Sequence, residues 1–314
     1  DQARSYLTQH CPTTLVRRVL NNRETHDADL YKGIAEMGWT ATTIPEEYGG
    51  LGMSYLELVV IAEELGRACA PVPFSSTVYL AAEAIMALGT EAQKQAWLPK
   101  FADGTAIGCF AMGEAGGRVT PDQMSTRMQD GVLNGTKVPV ADGGIASVAI
   151  VVCASDKGDG ASLALVDLSQ DAVSKDNVQM IDFSRGHTEL VFDGACAETL
   201  GEEGAGWTAV ESLMNTAAVL FAWEQIGIAD KALEQAREYA LGRFAFGRSI
   251  ASYQAIKHKL AKMYVKNTLA RSNAYYGAWA LNAKASDLAV ASATSRVAAI
   301  QASLFAAEEN IQTH

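Results

Sequence analysis

Arg243 lies in the segment Arg243-Phe244-Ala245-Phe246-Gly247-Arg248. A guanidinium is planar, permanently charged and able to bond in a bidentate fork, so it suits a pyrophosphate and is hard to replace there. The bland reading of Arg243 is a solvated charge at a helix end. For proton abstraction the carboxylates to weigh are Glu114, Asp193 and Glu224. Nothing in their setting singles one out, and Glu224 reads first as a structural residue on a helix. The catalytic base is therefore unassigned. The five cysteines, Cys11, Cys69, Cys109, Cys153 and Cys196, are widely spaced and form no CxxC pair, as expected of reduced thiols in a cytoplasmic protein rather than of a metal or redox site.

Three kinds of segment must position these groups. Residues 1–104 read as helices: an apolar stretch from Tyr55 is closed by a glycine stop at Gly66, and Thr90 with Gln93 three places on is a capping-box signal. Residues 105–202 change to short apolar runs rich in Val and Ile, at 147–154, 162–166 and 189–192, which predict strands, with a hairpin turn at Asn134-Gly135. Residues 203–314 return to helix. Ile256, Leu260 and Met263 recur at helical spacing, and Val297, Ile300, Leu304, Ala307 and Ile311 alternate three and four, the seam of a helical bundle.

Composition fits this picture. The chain has 314 residues, 49% of them hydrophobic, enough for two or three modest domains. The net charge of −11 argues against a nucleic-acid partner, which needs clustered Lys and Arg, so an anionic nucleotide ligand requires a local site. No apolar run approaches the roughly 20 residues of a membrane helix. The sequence opens at Asp1 rather than Met and ends at His314 inside a helical pattern, so further segments are expected at both ends.

Four strings resemble the acyl-CoA dehydrogenase family: IPEEYGGLGMSYLELVVIAEELGR, GTEAQKQAWLPKFADGTAIGCFAMGE, RFAFGRSIASYQAIKHKLAKM and ENIQTH. They occur in the family's order along essentially the whole chain. The resemblance implies an α+β fold with an N-terminal α-helical domain (1–104), a middle β-barrel-like domain (105–202) and a C-terminal four-helix bundle (203–314). It implies FAD as cofactor, an acyl-CoA thioester as substrate and an electron-transfer flavoprotein as electron acceptor. In the family a carboxylate takes the α proton while a hydride leaves Cβ for the flavin, and the thioester carbonyl is polarised by hydrogen bonds.

The resemblance also implies site residues. Arg243, Phe246 and Gln254 match the family's contacts to the ADP half of FAD across a subunit interface. Ile250, one turn after Phe246, is placed to floor the adenine pocket, and Gln312 matches the Gln that opens a further flavin-contact loop. The flavin-ring contacts depart from the pattern. Where the family has a hydroxyl residue and Pro in its LTEPGAGSD-like string, this chain has Gly113 and Ala115. Where it has Trp and a hydroxyl residue in NGxKxWITNG, this chain has Pro139 and Ala141. Pro offers neither a large stacking face nor an N–H. One family position for the base is occupied here by Ala217, and the commoner one lies beyond residue 314.

The kept hairpin motif and lost ring contacts resemble the heteromeric α2β2 acyl-CoA dehydrogenases of steroid side-chain degradation, as does the segment from Ala70 to Ile85. The implied role is one subunit of such an enzyme, with a paralogous chain completing the flavin site. The alternatives are a non-catalytic scaffold for an active paralogue and a self-sufficient homotetrameric dehydrogenase.

Overall fold

The computed structural model describes residues 1–117 and 119–314; Arg118, in the flavin-string segment, lies outside the described residues. In chain order the elements are α1 (Gln2–His10), α2 (Thr13–Asn22), α3 (Ala28–Glu36), α4 (Tyr55–Ala68), a π-helical segment Ser75–Ala82, α5 (Glu83–Leu88), α6 (Glu91–Ala102), β1 (Gly108–Ala111), β2 (Arg127–Gln129), β3 (Val132–Ala141), β4 (Val148–Ala154), β5 (Ala161–Asp167), β6 (Val173–Val178), β7 (His187–Cys196), β8 (Glu198–Leu200), α7 (Gly206–Gly242), β9 (Phe244–Ala245), β10 (Arg248–Ser249), α8 (Gln254–Asn282) and α9 (Leu288–Thr313). The order of helices, β-region and long helices is the one the sequence predicts, and the chain separates into two compact units.

The first unit comprises residues 14–53 and 71–214. Its eight-stranded sheet runs β6-β7-β3-β2-β4-β5-β8, with β1 pairing to β4 in parallel. Every residue of β4 is buried. Val148, Ile150 and Val152 pack with α5 and α6 side chains such as Ile85, Leu98 and Phe101. Ala149, Val151 and Cys153 pack with Leu133 of β3 and Leu190 and Phe192 of β7. One strand thus feeds two cores because side chains alternate across it.

The hairpin turn is not at Asn134-Gly135 as the sequence predicts. The hairpin turn is at Asp130-Gly131, both with positive φ (49° and 77°), where Gln129 pairs with Val132. Asn134-Gly135 lies within β3 instead. Gly135 is required there because a Cβ would come within 2.6 Å of the Thr126 backbone. Thr90 and Gln93 do form the capping box at the start of α6.

The second unit comprises residues 1–13, 54–70 and 215–314. The C-terminal segment contributes three long helices, α7, α8 and α9, around a core that includes Ala229, Ala236, Met263 and Ala306. Gly66 is not a helix stop: α4 continues to Ala68 and closes on the left-handed Cys69. The seam Val297-Leu304-Ile311 faces outward, Ile311 being 74% exposed, whereas α9 buries its small residues Ala291, Ser295, Ala299, Ala302 and Ala306. By length and composition alone α9 is apolar enough to cross a membrane. Its buried serines, however, bond within the unit, Ser295 Oγ donating to Asn273 O of α8 at 2.9 Å.

Charges tie α4 to the long helices. Arg271 of α8 donates to both Glu63 oxygens (3.0 and 2.7 Å) and to Asp230 of α7 (2.6 Å), and its guanidinium lies 5.5 Å from the Trp223 ring centre. Arg271→Ala leaves Glu63 and Asp230 without the guanidinium that bridges them. The expected loss is about 2 kcal/mol of stability, set between the values for exposed and buried pairs, read as a lower urea midpoint. Arg271→Lys recovers only part of it, because an ammonium cannot serve three oxygens in one plane.

Candidate functional site

Arg243, Phe246, Ile250 and Gln254 lie on one short connection between α7 and α8. β9 and β10 pair Ala245 with Arg248 and Phe244 with Ser249, so the turn is Phe246-Gly247. Both residues have positive φ, 52° and 78°, as a two-residue type I′ turn requires. A left-handed Phe costs about 1–2 kcal/mol, and such strain persists where the surroundings over-determine it, often at a binding site. Phe246 is also 97% exposed.

The surroundings do over-determine it. Arg243 N donates to Tyr239 O at 2.8 Å, and Ile250 N donates to Arg243 O at 2.8 Å, closing the base of the hairpin. Ser249 Oγ donates to Ala240 O at 2.7 Å and Leu241 O at 3.1 Å, satisfying carbonyls at the end of α7. Tyr253 Oη donates to Ala245 O at 3.0 Å, and the Arg248 guanidinium stacks 4.0 Å above the Tyr253 ring. The result is a rigid mount that presents Arg243 and Phe246 to solvent and places exposed Gln254 at the first residue of α8. Gln312 is exposed in the last turn of α9, whose terminal His314 ring stacks 4.2 Å from that of Tyr239. Tyr239 also accepts the Arg243 N–H, so the end of α9 and the root of the hairpin meet at the end of α7.

Of the β-region positions that depart from the flavin pattern, Pro139 and Ala141 lie on β3, and Gly113 and Ala115 lie in the segment that follows β1. Val138 N donates to Gly113 O at 2.9 Å, and a Cβ on Gly113 would sit 2.9 Å from Val138 O. The Val138–Pro139 peptide is cis. Two buried polar clusters flank these positions, and both escaped the sequence reading. In one, Lys137, fully buried, donates to Glu114 Oε1 at 2.8 Å and Met112 O at 3.1 Å. Glu114 also accepts from Ser125 N (2.8 Å), Ser125 Oγ (2.7 Å) and Thr126 N (3.1 Å). Burial alone raises the pKa of Glu114, but Lys137 and these donors outweigh it and hold the carboxyl at about 2. In the other, Asp142 accepts from Arg185 at 2.7 Å and from Ser76 Oγ, while Arg185 also donates to Ser75 Oγ at 2.6 Å. Spacing offers no signal for this cluster, since its hydrogen-bonded pairs are 43 to 110 residues apart.

The three candidate carboxylates lie in different settings. Glu114 is a structural anion. Asp193 is exposed on β7. Glu224 acts on Arg296 of α9, whose pKa burial lowers while the Glu224 charge raises it. Ala217 is buried.

Residues 1–105 match the N-terminal domain of acyl-CoA dehydrogenases and residues 204–314 the C-terminal domain. The chain is 30% identical over 279 residues to an acryloyl-CoA reductase (NADH) of Anaerotignum propionicum, covering 84% of this chain and 71% of the relative. It superposes on butyryl-CoA dehydrogenase of Megasphaera elsdenii with a TM-score of 0.89 at 26% identity, covering 99% and 85% of the two chains. A steroid ACAD gives a TM-score of 0.88 at 27% identity, covering 99% and 84%. With the fold, the motif-bearing hairpin and these matches in agreement, the chain belongs to the acyl-CoA dehydrogenase family, FAD-dependent oxidoreductases acting on a CH–CH bond.

Proposed function

We propose that this chain is one subunit of a heteromeric acyl-CoA dehydrogenase and that it lends the 243–250 hairpin to a flavin whose ring is cradled by a paralogous partner. The carrying observation is the asymmetry between its two halves. The hairpin residues fit the ADP end of FAD: a solvent-facing guanidinium for the pyrophosphate, an exposed aromatic ring and Ile250 for the adenine, and the amides of Gln254 and Gln312 as donors. The residues at 113, 139 and 141 do not fit the ring end, because they supply neither a hydroxyl nor an aromatic face.

When bound, FAD accepts the hydride that leaves the acyl chain. This chain's part is to hold and orient the cofactor through Arg243. An α2β2 assembly, a bulky steroid-like acyl-CoA substrate, an electron-transfer flavoprotein as acceptor and a cytoplasmic location complete the proposal. The likeness to a steroid ACAD and the five free cysteines support it.

Flavin content tests the reading. The chain purified alone is expected to be colourless and the assembled pair to carry about one FAD per heterodimer. Arg243→Ala is expected to lower FAD retention of the pair at least about tenfold, as loss of a charge-assisted bidentate contact does. One FAD per subunit in the lone chain, or full occupancy in the Arg243→Ala pair, overturns it.

A further inference from the structure

A cleft of about 220 Å³ opens in the first unit between the connection from α2 to α3 and the connection from β6 to β7. Pockets for drug-sized ligands run to roughly 300–1,000 Å³, so this one suits a smaller molecule and not a dinucleotide. The two connections are clamped together at Gly186. Its N–H donates to Thr25 O at 3.3 Å, its carbonyl accepts from Asp142 N at 2.9 Å, and a Cβ there would lie 2.9 Å from Thr25 Cγ2.

One wall is apolar, made by Val178, Met180 and Phe183, the last two exposed. Against it stands Arg23. This residue is left-handed, φ 54°, a strained conformation for a side chain with a Cβ. Its guanidinium lies 5.1 Å from the centre of the Phe183 ring. Stacking of this kind occupies the face of the guanidinium and leaves its N–H edge for a bidentate bond to a carboxylate.

Four side chains of permanent charge line the cleft, and two of them are already balanced. Arg185 pairs with Asp142 at 2.7 Å, and Glu24 pairs with Arg18 at 3.4 Å and accepts from Asn22 Nδ2 at 3.0 Å. The other two are Arg23 and Asp182. Among the described residues Arg23 has no carboxylate partner and Asp182 no cationic one. Asp182 accepts from Ser184 N at 2.8 Å through one oxygen, which leaves the second. A ligand with a carboxylate alone would bring it up to Asp182, and a ligand with an ammonium alone would bring it up to Arg23. A zwitterion meets both charges at once.

We propose that this cleft binds a free apolar α-amino acid, its carboxylate on Arg23, its ammonium on Asp182 and its side chain against Val178, Met180 and Phe183. The amides of Asn177 and Gln179 line the same cleft and add hydrogen-bonding capacity. Every residue involved belongs to the first unit of this chain, so the proposal stands apart from the heteromer reading.

Equilibrium dialysis of the full chain against radiolabelled L-phenylalanine, at about 0.15 M salt, tests it. One molecule per chain is expected, with a Kd of about 1 mM for a ligand of this size held in an open cleft. 3-Phenylpropionate lacks the ammonium and phenethylamine lacks the carboxylate. Each is expected to bind at least about tenfold more weakly, for the loss of one charge-assisted contact. Arg23→Asn removes the guanidinium with a residue that tolerates the left-handed backbone. It is expected to erase the advantage of phenylalanine over phenethylamine and to keep the advantage over 3-phenylpropionate. Asp182→Asn, whose side-chain oxygen still accepts from Ser184, is expected to do the reverse. No saturable binding up to about 10 mM overturns the proposal. So does equal binding of the three compounds, or wild-type affinity for phenylalanine in either variant.

Discussion

Gly66→Ala and Gly227→Ala are each expected to cost about 3 kcal/mol or more of stability, the upper end of what overpacking does. The two glycines form a reciprocal crossing of α4 and α7. A Cβ on Gly66 would lie 1.9 Å from the carbonyl oxygen of Glu224, and a Cβ on Gly227 would lie 1.9 Å from that of Glu63. In each helix the glycine follows its carbonyl-bearing partner by three residues, so each helix offers the other one bare Cα and one carbonyl. The obstacle in both cases is backbone, which no rotamer change relieves, so the helices must move apart. That movement also pulls on Arg271, which grips Glu63 one turn away. Urea unfolding of the assembled protein reads the effect as a lower midpoint with little change in slope. The double variant is expected to fall less than the sum of the singles, since one separation accommodates both methyl groups. Gly242→Ala, where a Cβ meets open space, is the control and is expected to stay within about 0.5 kcal/mol. Wild-type midpoints for Gly66→Ala would show that the crossing is looser than the contact implies.

Gly66 also shows where sequence reasoning stops. A glycine near the end of an apolar helical stretch signals either a cap or a close crossing, and the partner that decides between them is more than 150 residues away. Signals contained in one turn were legible: Thr90 and Gln93 read as a capping box and form one. The β-hairpin was harder because two type I′ dipeptides, Asp130-Gly131 and Asn134-Gly135, lie four residues apart. Strand register, a long-range property, uses the first as the turn and gives the second to the tight pass over Thr126. The α9 seam was legible as a stripe, but periodicity tells which residues share a face and not what covers it. At the site, the Arg243 motif was legible only through family resemblance, because Phe-Gly is not a type I′ signature and the strain at Phe246 appears only in the backbone. Asp142 with Arg185 and Lys137 with Glu114 were invisible, since pairing across strands leaves no local pattern.

Glu114→Gln is expected to cost about 3 kcal/mol at neutral pH and to flatten the acid sensitivity of the protein. The folded state holds this carboxyl at about 2, against an ordinary value of 4.5. A carboxyl depressed on folding stabilises the protein in full above its unfolded value and loses that contribution as pH falls from about 4.5 towards 2, which for a shift of this size is about 3 kcal/mol. The glutamine variant lacks that titration. It also leaves the buried Lys137 ammonium with Met112 O and a neutral amide in place of an anion, a costly arrangement for a fully desolvated cation. Urea midpoints at about pH 7 and about pH 3.5 separate the two effects: wild type is expected to lose stability between them more steeply than Glu114→Gln. Parallel slopes would remove Glu114 from the account. A Lys137→Met/Glu114→Leu double variant, in which both charges go together, is expected to recover much of the loss, because a buried pair is often replaceable by apolar side chains of similar volume. Recovery would also bear on mechanism. A carboxylate that the fold keeps ionised far below neutral pH has little affinity for a proton and is poorly matched to removing one from a thioester's α carbon. Glu114 therefore serves the segment that carries Gly113 and the strand that carries Pro139, and the base is to be sought elsewhere.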